Sequence, residues 1–132
     1  MIIRAERPGD EAAIGAVTAA AFAGKSYSDQ TEPQIIDQLR AAAALKISLV
    51  AEDGEGIGSA LIRRGLDTLA GLRASGCALV GSPKFYPRFG FRQCRELTYP
   101  GLPVEYFMVL LLRGGMPSGI VRFHPAFYGS AA

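Results

Sequence analysis

The sequence predicts an α/β fold of the α+β kind, in which a mixed central sheet is flanked by helices. Short apolar runs, which are typical of buried strands, alternate with longer segments whose apolar residues recur at helical spacing. Gly, Pro and Ser mark the turns between these segments. The 132 residues contain no internal repeat and no linker, and they suffice for one core. We therefore expect residues 1–132 to form a single domain.

A strand and a helix are predicted at the start of the chain. Met1–Glu6 is the strand, and the turn residues Pro8 and Gly9 follow it. Asp10 stands where a helix N-cap is expected. The apolar face of this helix comprises Ile14, Val17, Ala21 and Phe22.

A second helix follows the polar loop at residues 24–30. Thr31 and Gln34 match a capping box, and Pro33 is tolerated in the first turn. The apolar stripe of this helix comprises Ile35, Ile36, Leu39 and Ala43.

A glycine-rich turn joins the next strand to the third helix. Ile47–Ala51 is the strand, and the helix runs from Ile57 to about Arg73. Arg63 and Arg64 lie about one turn of helix beyond the glycine-rich turn. At this position they either approach a bound phosphate or belong to a solvated face of the helix. The core-facing residues of this helix are Leu61, Ile62, Leu66, Leu69 and Leu72.

The second half of the chain contains two clear strand candidates. Cys77–Val80 is wholly apolar, as expected of a central strand buried on both faces. Lys84–Arg88 forms a short helical turn, and Tyr106–Leu112 is the last strong strand. The tail from Gly114 is rich in Gly and Pro and is expected to wrap the surface.

Composition and charge narrow the class of protein. Fourteen basic and twelve acidic side chains give a net charge of +2, too balanced to argue for a nucleic-acid partner. No window has the apolar length of a membrane span, and the N-terminus lacks a signal peptide's apolar region. Cys77 and Cys94 show no metal-ligand spacing and are interpreted as small core residues. We expect a soluble, cytoplasmic protein without a metal.

The glycine turn is the first candidate site. Gly54, Gly56 and Gly58 precede or open the third helix, and they lack the side chains that would hold a phosphate away from the backbone. Unpaired N–H groups and the helix dipole favour an anion there. A structural strand-to-helix turn is an equally good explanation of an isolated glycine pattern.

An aromatic stretch is the second candidate site. Lys84–Phe91 predicts a short helix that presents Tyr86, followed by a glycine that lets the chain reverse into a strand. By composition alone, a core cluster of aromatic rings explains the same residues.

Together, these two stretches resemble the GNAT superfamily of acetyl-CoA-dependent N-acetyltransferases, and most of all its small bacterial YhbS-like members. The resemblance rests on Gly56–Ile62 and Phe85–Phe91, separated by one helix and one apolar strand. It extends to Leu102–Phe107 and to the closing Val121–Phe127, and it covers nearly the whole chain. The implied fold is a GNAT-like mixed sheet in the order β-α-α-β-(gap)-α-β-α-β-β.

The resemblance implies a coenzyme A site and a catalytic tyrosine. Tyr86 corresponds to the family's general acid, which protonates the coenzyme A thiolate as the tetrahedral intermediate collapses. A phenol hydroxyl suits this role because it can donate a hydrogen bond to sulfur. In the family, backbone amides of the glycine turn cradle the pyrophosphate, and here those amides belong to Gly56, Ile57, Gly58, Ser59 and Ala60.

The implied activity is transfer of an acetyl group from acetyl-CoA to a primary amine, by direct attack in a ternary complex. The acceptor is a small molecule or a peptide, and the resemblance admits a homodimer. It implies no metal, no nucleic-acid partner and no membrane partner. No general base is assigned, because Glu11, Asp29 and Glu32 lie in or near helix first turns and suit a structural role there. His124 is interpreted as part of a packed tail.

The chain departs from the family between Ala51 and Gly56. Family members place two strands there, which need on the order of 20 to 40 residues. One of them normally lies beside the strand at Cys77–Val80 and helps to hold the thioester. In addition, Asp53 stands where the family usually has Gln or Arg, and its carboxylate would repel a pyrophosphate.

Two explanations account for the gap. Either the natural protein contains a stretch that this sequence skips, or the shortening is real and the sheet is rebuilt. We favour the first, because a shortened sheet would expose long unpaired strand edges.

Two other functions compete with the acetyltransferase. One is a degenerate, non-catalytic GNAT-like module that acts through protein contacts. The other is a nucleotide-binding βα unit of the Rossmann kind, which ranks last because Ser59 stands where its last Gly or Ala should be.

Overall fold

The computed structural model describes residues 2–52 and 57–128 of the chain. Helices and strands follow one another nearly in the predicted order, although the turn that carries Tyr86 is a 3-10 helix. The described helices are α1 (Glu11–Phe22), α2 (Glu32–Ala41) and α3 (Ile57–Gly71), with 3-10 helices at Tyr86–Phe89, Val104–Tyr106 and Pro125–Tyr128. The described strands are β1 (Ile2–Ala5), β2 (Leu49–Glu52), β3 (Gly76–Val80), β4 (Leu97–Thr98), β5 (Phe107–Leu111) and β6 (Gly119–Ile120).

These elements belong to two compact units. The first comprises residues 2–52 and 123–128, and the second comprises residues 57–122. In the first unit, β1 and β2 pair antiparallel, with Ile3 opposite Ala51. Helix α2 packs against both α1 and the 3-10 helix Pro125–Tyr128, in which Ala126 is buried. The single domain expected over residues 1–132 stays a prediction.

Ion pairs connect β1 to both helices of the first unit. Arg4 donates hydrogen bonds to both carboxylate oxygens of Asp10, at 2.7 and 3.2 Å, and a further one to Glu52. Glu6, which follows the last residue of β1, accepts bidentate hydrogen bonds from Arg40, at 2.7 and 2.8 Å. These ion pairs tie β1 and the residue after it to the N-cap of α1 and to α2.

The Arg4–Asp10 pair should make folding stability depend on pH. Hydrogen bonds from Arg4 and from the Arg7 amide lower the pKa of Asp10 from 3.8 to about 2. Folding therefore favours the ionised carboxylate, so the stabilisation is complete above pH 4 and disappears as the pH falls towards 2. We expect Asp10→Asn to have a flatter profile of melting temperature against pH in this window. Asp67→Asn, a change at an exposed acid on α3, is the control and should keep the wild-type slope.

The second unit is built on the antiparallel pair of β3 and β5, in which Ala78 lies opposite Val109. Arg92 extends this pairing through a bridge to Val109. Beside it, β4 and β6 form a short parallel pair that the sequence analysis did not predict. The buried side chains of this unit lie on or next to β5, at Phe91, Phe107, Met108 and Val109.

The predicted burial of β3 on both faces is wrong. Its residues are only partly buried, and Val80 is 43% exposed. Within the described residues, β3 pairs with β5 alone. The apolar run therefore belongs to a strand with a described hydrogen-bonded neighbour on one edge only.

Several predicted helix details also differ. Val17 is 70% exposed and Leu72 is 62% exposed, so neither faces the core. Asp10 and Thr31 do occupy the N-cap positions of α1 and α2, but neither side chain caps its helix. The Asp10 carboxylate is occupied by Arg4, and the Thr31 hydroxyl donates to Asp29 instead. Neighbouring charged groups therefore outcompete the helix amides for these side chains.

Helix α2 ends before the predicted Ala43, in a Schellman motif. The amide of Ala43 donates to Arg40, and the amide of Ala44 donates to Leu39. This geometry places Ala43 at a φ of 55°, in the left-handed region that a Cβ disfavours.

Replacing Ala43 by glycine should therefore stabilise the protein. We expect Ala43→Gly to raise the free energy of unfolding by roughly 0.5–1 kcal/mol, as relief of the left-handed strain exceeds the entropy cost of glycine. Urea unfolding measures this change. The neighbouring Ala42→Gly is the control, because Ala42 has a φ of −83°. Equal effects of the two substitutions would contradict the explanation.

Candidate functional site

The first turn of α3 is the part of the predicted anion site that the structure describes. Ile57, Gly58, Ser59 and Ala60 form this turn, whereas Gly56 and Asp53 lie outside the described residues. The first amides of an α-helix have no acceptor one turn earlier within it. Gly58 is exposed, and a Cβ built on it would meet nothing within 4 Å. No described side chain therefore crowds the backbone at Gly58.

The charge at this turn distinguishes α3 from the other two long helices. Both α1 and α2 carry a glutamate, Glu11 and Glu32, in the first turn. Such a carboxylate offsets the positive end of the helix dipole. Helix α3 has no acidic residue in its first turn. Its positive end therefore has no first-turn carboxylate to offset it and suits an anionic ligand.

Tyr86 is the first residue of the 3-10 helix Tyr86–Phe89, as the sequence predicted for a short helix in this place. Its amide donates a 3.2 Å hydrogen bond to the carbonyl of Ser82, which anchors it to the turn that follows β3. The helix ends at Gly90, whose φ of 98° lets the chain reverse towards Phe91. Tyr86 is thus positioned between the end of β3 and the buried Phe91.

Aromatic rings surround the side chain of Tyr86. Phe85 and Phe91 meet its ring edge-to-face, with ring centroids 5.0 and 6.0 Å away. Phe85 also contacts Phe89, over which the guanidinium of Arg63 lies at 5.1 Å. The aromatic cluster thus both contributes to packing and presents Tyr86, so the two sequence interpretations do not exclude each other.

One end of the Tyr86 side chain remains available. The residue is half-buried, and its hydroxyl makes no hydrogen bond to any other described residue. The hydroxyl is not among the buried side-chain atoms that lack a hydrogen-bond partner, so it lies where solvent or a bound ligand can accept its proton.

Gly81 also contacts this ring, although the sequence analysis treated it only as a turn residue. A Cβ built on Gly81 would lie 2.8 Å from Cδ2 of Tyr86 and closer still to Cε2. Its φ is not in the left-handed region, so backbone conformation does not require glycine here. The only sequence signal was a glycine five residues before the tyrosine, and it did not reveal the approach.

The acidic residues near the first two helices and the single histidine have local structural partners. Glu11 accepts from the Gly9 amide, Glu32 from the Ser28 hydroxyl, and Asp29 from Thr31. His124 accepts a hydrogen bond from the Ala126 amide through Nδ1, which orders the last 3-10 helix. These contacts agree with the structural roles expected from the sequence.

Neither cysteine forms a hydrogen bond with the side chain of Tyr86. Cys77 is on β3, where burial raises the pKa of its thiol, so the unreactive protonated form is favoured. Cys94 donates to Glu96 at 3.0 Å. Two open clefts, of about 390 and 440 Å³, flank Cys94 and are lined by neither Tyr86 nor the first turn of α3. No group of His, Cys, Asp and Glu within residues 2–52 and 57–128 has the arrangement of a metal site.

Comparison with known proteins gives one clear likeness. No family model matches the chain, and no curated protein matches it significantly. Among solved structures, it is similar to a GNAT family acetyltransferase from Brucella melitensis, crystallised in complex with acetyl-CoA. The two chains are 38% identical, with a TM-score of 0.83, over 96% of this chain and 97% of the other.

Proposed function

Because this chain belongs to the GNAT family of acetyltransferases, we propose that it transfers the acetyl group of acetyl-CoA to a primary amine. The predicted fold class is confirmed by the same comparison, and the Rossmann alternative is set aside. The observation that carries the proposal is the presence, within one unit, of a helix N-terminus without an acidic residue in its first turn and of a tyrosine whose hydroxyl has no described partner. The first feature suits the pyrophosphate of acetyl-CoA, and the second suits protonation of its thiolate.

The pyrophosphate of acetyl-CoA would bind at the N-terminus of α3. Amides of Ile57, Gly58, Ser59 and Ala60 would donate to its oxygens, and Gly56, outside the described residues, completes the proposed set. Exposure of Gly58 and the lack of a first-turn carboxylate both favour this binding mode.

Tyr86 would act as the general acid. The acceptor amine attacks the thioester carbonyl and forms a tetrahedral intermediate with both substrates bound. When the C–S bond breaks, the hydroxyl of Tyr86 gives its proton to the departing thiolate, and the amine loses its own proton to solvent or a base. The free hydroxyl supports this role, because no described neighbour competes for its proton.

The part of the proposed site that would hold the thioester belongs to the gap between Ala51 and Gly56. Among the described strands, β2 pairs only with β1 in the first unit, and β3 pairs only with β5 in the second. Such open edges support our proposal that the natural protein has two further strands here. The intact mass of the protein from its natural source should then exceed 14.0 kDa by about 2–4 kDa, the mass of 20 to 40 residues.

A mass of 14.0 kDa would mean that the shortening is real. It would favour the alternative function, a non-catalytic GNAT-like module that acts through protein contacts. The sequence observation that favours this alternative is Asp53, an acid in the place of the family's usual Gln or Arg.

Ligand-induced stabilisation tests the proposal directly. Acetyl-CoA at about 100 times its Kd should stabilise the native state by roughly 2.7 kcal/mol and raise the melting temperature, whereas NAD should not. Thiol release in the presence of a panel of small and peptide amines then measures transfer. Binding without transfer to any amine would favour the non-catalytic module, and absence of binding would overturn the coenzyme A site.

The location, the acceptor, the partners and the assembly of the enzyme are also part of the proposal. We expect a cytoplasmic enzyme that acts on a small molecule or a peptide, with neither nucleic acid nor membrane as partner. Among residues 2–52 and 57–128, none of the helices has the length and hydropathy of a transmembrane span. A homodimer is the assembly that the family resemblance admits, and sedimentation would measure it.

A further inference from the structure

Gly81 and Tyr86 make an unusually close approach at the end of β3. A methyl group in place of the Gly81 hydrogen would lie 2.8 Å from Cδ2 of the tyrosine ring and nearer still to Cε2. Carbon atoms in van der Waals contact are about 3.5–4.0 Å apart. No L-residue with a Cβ therefore fits at this position unless the ring moves by roughly 1 Å.

The ring has few ways to move without losing contacts. Its backbone is held by the hydrogen bond from the Tyr86 amide to Ser82, and the Gly81 amide itself donates to Tyr106 at 2.9 Å. Both partners of the approach are thus anchored through their backbones. The edge-to-face contacts with Phe85 and Phe91 limit the ring on other sides. A methyl at Gly81 would therefore swing the ring about its Cα–Cβ bond and displace the hydroxyl at its far end.

We propose that Gly81 is a positioning residue: by having no side chain, it lets the Tyr86 ring settle where its hydroxyl reaches the thiolate leaving group. The inference rests on the proposed role of Tyr86 and adds a second residue to it. A general acid must lie within hydrogen-bond reach of the atom that it protonates. Displacement of about 1 Å is enough to lower a rate by 10²-fold.

The test is a cycle of Gly81→Ala and Tyr86→Phe. Gly81→Ala should lower kcat by about 10- to 100-fold and leave the Kd of acetyl-CoA within about twofold, since the first turn of α3 is unchanged. In the Tyr86→Phe background, Gly81→Ala should have no further effect on kcat, because the proton donor is already absent. Gly115→Ala is the matched control, since its Cβ meets nothing within 4 Å, and it should behave as wild type.

The outcomes separate this inference from the proposed function. If Tyr86→Phe lowers kcat and Gly81→Ala does not, the positioning role is wrong and the general acid stands. If Gly81→Ala lowers kcat by the same factor with and without the tyrosine hydroxyl, its effect does not act through Tyr86 and the inference is overturned. If Tyr86→Phe leaves kcat unchanged, the general-acid role fails and the positioning role fails with it.

A stability cycle covers the case in which Gly81→Ala folds poorly. Removing the ring by Tyr86→Ala also removes the clash, so Gly81→Ala should destabilise the wild-type chain much more than the Tyr86→Ala chain. Equal destabilisation in the two backgrounds would show that the ring does not require the glycine, and it would overturn the inference.

Discussion

Gly58→Glu is expected to weaken acetyl-CoA binding by at least about 100-fold. The new carboxylate would lie at the helix N-terminus proposed to hold the pyrophosphate, and like charges brought together in a site cost several kcal/mol. The substitution should not disturb the fold, because a Cβ at Gly58 meets nothing within 4 Å. A glutamate in the first turn also favours the helix dipole, and replacing glycine favours the helix. Calorimetric titration with acetyl-CoA measures the effect.

The same helix offers a matched control for Gly58→Glu. Gly65 is seven residues further on, which is about two turns and 10 Å along the same face. Its Cβ would also meet nothing within 4 Å. Gly65→Glu should bind acetyl-CoA as wild type does, and Gly58→Gln should show how much of the loss is steric rather than electrostatic. Wild-type affinity in Gly58→Glu would rule out the first turn of α3 as the pyrophosphate site.

Tyr86→Phe is expected to lower kcat by about 10²- to 10⁴-fold, the range that a general acid contributes. The Kd of acetyl-CoA should hardly change, because the amides that would bind the pyrophosphate are on α3. Stability should also be kept, since the ring contacts with Phe85 and Phe91 need no hydroxyl and that hydroxyl has no described partner. Steady-state kinetics together with binding measurements separate the two effects.

A second tyrosine provides the control for the loss of a hydroxyl. Tyr27 is 77% exposed and meets Phe22 edge-to-face, a contact that phenylalanine would keep. Tyr27→Phe should therefore retain full kcat. If Tyr86→Phe also retained it, the proton would come from solvent and the assignment of Tyr86 would be withdrawn.

Much of the fold was predictable because local chemistry determines it. The strand and helix positions followed from apolar spacing, and β5 agrees with the predicted Tyr106–Leu112 within one residue at each end. The same is true of the short helix at Tyr86, since Pro87 suits its first turn and Gly90 its end. These signals depend on neighbours a few residues away, so tertiary contacts hardly alter them.

Burial and capping were less predictable because they depend on distant residues. Val17 fits an apolar helical face in the sequence, yet no described element covers it closely enough to bury it. Asp10 has the right position for an N-cap, but Arg4 on a separate strand takes its carboxylate. The pairing of β4 with β6 joins residues about twenty apart that carry no strong strand pattern.

Most of the order of helices and strands, the glycine at the start of α3 and the short helix at Tyr86 were predictable, because backbone preference and residue spacing are local properties. The surroundings of these residues depend on the tertiary structure. It brought Gly81 against one edge of the Tyr86 ring, placed Arg63 over Phe89, and left the Tyr86 hydroxyl without a described partner. Such relations depend on which residues approach one another in space, and a linear pattern of residue types does not contain that information.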